Sequence, residues 1–99
     1  MPDDGHAEVM RQVVVRGRVH GVGFRASCAA RATAAGVSGW VANRADGTVE
    51  ALFAGPAETV NQLVEWCRHG PPLARVTAVD VTDAPPASTA PTGTGFAIR

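Results

Sequence analysis

The sequence predicts an α+β domain in which one sheet carries two helices on a single face. Three observations point there: two stretches have helical periodicity, each follows a strand-like run, and Asp46-Gly47 is a hairpin signal between two alternating runs. At 99 residues, the chain makes one domain, able to bury about two-thirds of its accessible surface on folding.

Met1–Glu8 is polar and proline-bearing and reads as a flexible tail ahead of a domain over 9–99. Val9–Val19 contains Val13, Val14, Val15 and Val19, β-branched residues that suit a strand. Phe24–Ala35 is rich in alanine and closed by Gly36, as a helix C-terminus is. Phe24, Cys28, Ala32 and Ala35 form its expected core stripe.

Gly39–Gly55 reads as two strands around the Asp46-Gly47 turn, with Val49, Ala51 and Phe53 on one face. Pro56 suits a first helical position, and Val60, Leu63, Val64 and Cys67 repeat with helical spacing. This helix is expected over Pro56–His69, stopped by Gly70-Pro71-Pro72. In Ala74–Val81, Val76, Ala78 and Asp80 alternate with Thr77, Val79 and Val81, which fits a further strand. Asp83–Gly93, with Pro85, Pro86 and Pro91, is too rich in breakers for regular structure and leads to a short strand over Gly95–Ile98.

The order is βαββαβ plus a short terminal strand. With right-handed crossovers, it is met most economically by a ferredoxin-like α/β sandwich: an antiparallel sheet, both helices on one face, the last strand at an edge.

Arg residues, the chain's only lysine-or-arginine charges, balance Asp plus Glu at nine each, with no block of like charge. A protein that coats nucleic acid or binds acidic lipid is normally more basic. The apolar runs fall far short of the roughly 20 residues that span a bilayer, and Met1–Met10 lacks the order of a signal peptide. A cytoplasmic protein is expected, without nucleic-acid or membrane partners. Cys28 and Cys67 match no zinc or redox spacing, so metal binding by their thiolates is not expected, and both read as buried free thiols; no cofactor is expected.

The stretch RGRVHGVGFR, Arg16 to Arg25, interrupts the first strand with glycine and arginine. A glycine-rich turn running into a helix N-terminus leaves backbone N–H groups unpaired, and the helix dipole adds positive charge, which suits phosphate. Gly21 and Gly23 permit positive φ and a close approach, and Arg25 is able to grip two phosphate oxygens at once. These residues alone equally fit a plain tight turn with a solvated arginine.

Val15 to Arg25, V-R-G-R-V-H-G-V-G-F-R, resembles the first motif of the acylphosphatase family. Gly39-Trp40-Val41-Ala42-Asn43, followed by Asp46-Gly47-Thr48-Val49-Glu50 and Gly55, resembles its second. The resemblance extends over Val13 to Val81 plus Gly95 to Arg99 and implies the same ferredoxin-like sandwich. It implies a free-standing hydrolase acting on acid anhydrides, an acylphosphatase, which splits a carboxyl–phosphate mixed anhydride to carboxylate and inorganic phosphate without metal or covalent intermediate. Phosphate, product and inhibitor alike, would sit on the amides of His20, Gly21, Val22, Gly23 and Phe24 and on Arg25, while Asn43 would orient the attacking water. The active unit is expected to be a monomer.

Two positions depart from the family pattern, which usually has glutamine at His20 and frequently a basic residue at Ala42. The His20 side chain reads as an exposed loop residue. Many members also continue one aromatic residue beyond Arg99. Trp40 reads as packing, Asp46 as serving the turn, and Arg16, Arg18 and Arg44 as solvated charges. A ferredoxin-like RNA-binding module would show aromatic residues on its central strands, a pattern that Phe24, Phe53 and Phe96 do not make. The rival reading is a non-catalytic anion-binding or regulatory module, for which the glycine-rich turn and Arg25 would suffice without Asn43. A third is an acylphosphatase-like domain of a larger carbamoyl-transfer maturation protein.

Overall fold

A computed structural model describes residues 7–83 and 95–99. Most of the expected N-terminal tail, and the breaker-rich stretch from residue 84 onward, lie outside the described residues. Within them the order is β1 (Glu8–Arg18), α1 (Phe24–Ala34), β2 (Ser38–Asn43), β3 (Val49–Pro56), α2 (Ala57–Cys67), β4 (Arg75–Asp83) and β5 (Phe96–Ile98). The five strands make one sheet in the order β4-β1-β3-β2-β5. β1 pairs antiparallel with β3 and β4, β2 antiparallel with β3, and the short edge strand β5 runs parallel to β2.

The core lies between this sheet and the two helices. Val13 and Val15 of β1 meet Val49, Ala51 and Phe53 of β3 and Val41 of β2, all fully buried. Against them stand Val60, Leu63, Val64 and Cys67 of α2, the four positions expected from helical spacing. Burying each large aliphatic or aromatic side chain contributes about 1.5–3 kcal/mol. One such anchor bears on function: Phe24, the first residue of α1, is 2% exposed and packs 5.2 Å from the Trp66 ring. It fixes where α1 begins.

Pro56 is not helical: with ψ at 138° it ends β3 and caps α2, which spans Ala57–Cys67 and stops short of the expected His69. Two further expectations need correction. Ala35, expected on the α1 core stripe, is exposed; the helix ends at Ala34, the chain turns at Ala35 and Gly36, and Ala29 takes the buried place. On β4 the strict alternation of Val76 against Val79 is broken, and both pack against the core. Arg16 pairs with Ala78 and Gly17 with Val76, which leaves Thr77 as an extra residue, a β-bulge that shifts the strand by one face. Gly17 makes this possible: its φ is +124°, and a Cβ there would lie 2.1 Å from the carbonyl oxygen of Arg75.

No helix among the described residues is long and apolar enough to cross a membrane.

Candidate active site

β1 delivers the chain to the buried Val19, and α1 starts at Phe24, so the intervening loop is pinned at both ends by apolar side chains. Between them Gly21 (φ +71°) and Gly23 (φ +80°) take left-handed conformations, and a Cβ on either would meet nothing within 4 Å. These glycines serve backbone conformation and open access. Gly23 caps α1 without a side-chain hydrogen bond.

The first helical bond runs from the Ser27 N–H to the Gly23 oxygen at 3.0 Å. The amides of Phe24, Arg25 and Ala26 therefore have no intrahelical acceptor. Among the described residues, the amides of Gly21, Val22 and Gly23 also have no backbone acceptor. A run of free N–H groups at a helix N-terminus with a guanidinium one residue inside has the polarity that suits an anion.

A pocket of about 210 Å³ opens here, with Gly21, Gly23, Phe24, Arg25 and Asn43 in its wall. Val19 and Ile98 supply its apolar sides. Asn43 is the last residue of β2, held opposite Val49 by the β2–β3 ladder. It is exposed, and its carboxamide has no hydrogen-bond partner among the described residues, so both its donor and its acceptor remain available. Arg25 donates through Nη1 to the main-chain oxygen of Arg99 at 3.1 Å. Its remaining N–H groups are left for a ligand.

Two of the residues expected in the site do not line this pocket with their side chains. Val22 packs against the core. His20 points to the β2–β3 hairpin, where its Nε2 lies 2.8 Å from the Thr48 carbonyl oxygen. Both belong to the loop through their backbone. Asp46 serves the hairpin turn, its Oδ1 accepting from the Thr48 amide at 3.0 Å and from the Thr48 hydroxyl at 2.6 Å. Those bonds, the hydroxyl first, hold its carboxyl below the ordinary aspartate range.

Of the arginines expected to be solvated, Arg16 is paired with Asp80 at 2.9 Å, and Arg18 and Arg44 are exposed. Trp40 sits half-buried beneath the Arg99 guanidinium, 5.0 Å from its ring centre. Ile98 and the main chain of Arg99 are site components that sequence reading missed. The hydrophobic end of β5 gave a weak hint of Ile98, whereas a main-chain oxygen leaves no trace in a sequence.

Residues 11–98 match the acylphosphatase family profile. The chain is 48% identical over 96 residues to an acylphosphatase of Azoarcus sp., covering 97% of this chain and 94% of that one. It is 57% identical over 83 residues to an acylphosphatase of Nitrobacter hamburgensis, covering 84% and 82%. An acylphosphatase structure from Coxiella burnetii superposes with a TM-score of 0.84 at 33% identity, over 93% of each chain.

Proposed function

We propose a division of labour in this pocket from one premise: the chain belongs to the acylphosphatase family, and its reaction is hydrolysis of acyl phosphates to carboxylate and inorganic phosphate. The observation that carries the assignment of roles is that Gly21, Gly23, Arg25 and Asn43 open onto one pocket. The loop amides from His20 to Phe24 and the Arg25 guanidinium hold the phosphoryl group. Asn43 holds the water.

Water attacks phosphorus, the bond from phosphorus to the acyl oxygen breaks, and the carboxylate leaves with the bonding pair. The water's proton passes to a phosphate oxygen, since a neutral carboxamide is no base. So spare a site suffices, because a carboxylate leaves without a strong general acid, and a loose phosphoryl transition state needs chiefly charge stabilisation and an aligned nucleophile. Inorganic phosphate, the product, fits the same cradle and inhibits competitively. One chain supplies the whole pocket, so a monomer is sufficient.

The test is hydrolysis of benzoyl phosphate compared with 4-nitrophenyl phosphate, with and without exhaustive chelation. Among the described residues no three His, Cys, Asp or Glu side chains are grouped to hold a metal ion. Turnover of the acyl phosphate alone, unchanged by chelation, is the predicted result. Phosphate binding without turnover would instead leave an anion-binding module.

A further inference from the structure

We infer that the His20 side chain is a positioning residue, a brace that ties the phosphate-binding loop to the hairpin carrying Asn43. Its Nε2 lies 2.8 Å from the Thr48 carbonyl oxygen. A carbonyl only accepts, so Nε2 carries the hydrogen and donates.

That carbonyl is itself fixed, because it also accepts from the Arg44 amide at 2.9 Å. Arg44 directly follows Asn43. The imidazole is therefore bonded to the same oxygen that secures the residue after the water-holding side chain. On the far side of this oxygen, Thr48 is locked by its amide and hydroxyl bonds to Asp46. Thr48 is buried at 6% exposure, so the anchor is rigid. The loop at the other end of the brace contains two glycines at positive φ, whose backbone loses the most conformational freedom on ordering. His20 is the loop residue whose side chain is hydrogen-bonded to the hairpin.

The brace acts on the distance between two halves of the machinery. Hydrogen-bond donors must stand ready where phosphate charge develops, and the water must meet phosphorus in a fixed direction. Loosening the loop against the hairpin degrades both at once. A group reacting directly would behave differently: an imidazole that exchanged a proton with substrate could not be replaced by a carboxamide, whereas a brace requires only an N–H of similar reach.

The proposal rests on the roles assigned above to the loop and to Asn43. It is tested with His20→Ala and His20→Gln, measuring kcat on benzoyl phosphate and inhibition by inorganic phosphate well below each variant's melting temperature. His20→Ala is expected to raise the phosphate inhibition constant and lower kcat by about three- to tenfold each, the range for losing one hydrogen bond. His20→Gln is expected to return both to within about twofold. Nitrogen NMR of the wild-type chain should show the His20 hydrogen on Nε2.

Wild-type values in His20→Ala, failure of His20→Gln to restore them, or a neutral ring protonated only on Nδ1 would each overturn the brace. Should the wild-type chain bind phosphate without hydrolysing benzoyl phosphate, the assigned reaction fails. The brace is then decided by the tautomer and by phosphate affinity, measured by NMR titration of the same variants.

Discussion

The Arg25 guanidinium, in the first turn of α1, donates to the main-chain oxygen of Arg99 at 3.1 Å. The side chain proposed to grip phosphate is thus steadied by the end of β5, and Ile98 beside it walls the pocket. Removing Ile98 and Arg99 should leave the fold intact, since Phe96 still stacks on Phe53 at 5.7 Å. Phosphate inhibition should weaken by about tenfold, the loss of a hydrogen bond to a charged group. Unchanged inhibition would show that Arg25 needs no support from β5.

Asp46 makes the hairpin sensitive to acid. The Thr48 hydroxyl and amide bond its ionised carboxyl and lower its pKa below the unfolded value of about 3.9. A lowered folded pKa stabilises the protein above the unfolded value, and that contribution is lost as pH falls through the folded one. Asp46→Asn should therefore be less stable than wild type at neutral pH, with the gap closing as denaturant titrations move below about pH 4. A gap constant from neutral to strongly acid pH would contradict this.

Cys28 and Cys67 face each other from the two helices as buried free thiols. The hydrogen bond between them and burial push the Cys67 pKa well above the ordinary cysteine value. A raised folded pKa stabilises below the unfolded value of about 8.5 and is lost as pH climbs beyond it. Neither thiol should react with an aromatic disulfide reagent in the native chain at pH 8, and both should react in denaturant. Prompt native reaction would mean that the helix interface opens readily.

The elements that sequence made legible are those whose signal is local. Asp46-Gly47 marked the hairpin, the spacing of Val60, Leu63, Val64 and Cys67 marked the buried face of α2, and the glycines before Phe24 marked the loop. The bulge at Thr77 was hidden because it depends on pairing with Gly17, which is remote in sequence. Ala35 fell off the expected stripe because a periodic pattern does not say where a helix stops. In the candidate site, the glycine-rich turn pointed to Arg25 and the family resemblance to Asn43, but the His20 brace and the Arg99 contact each end on a main-chain oxygen, which any residue supplies.

The division of labour between Arg25 and Asn43 is tested most directly by measuring kcat and the phosphate inhibition constant for Arg25→Ala and Asn43→Ala, with folding checked by circular dichroism. In the proposed division Arg25 holds phosphate before and during reaction, so its loss should reduce both binding and turnover by about 10²-fold or more. Asn43 is proposed to hold only the water, so its loss should leave phosphate inhibition within about twofold of wild type while kcat falls by about 10²-fold or more. Near-normal kcat in Asn43→Ala, or phosphate binding as impaired as in Arg25→Ala, would contradict it.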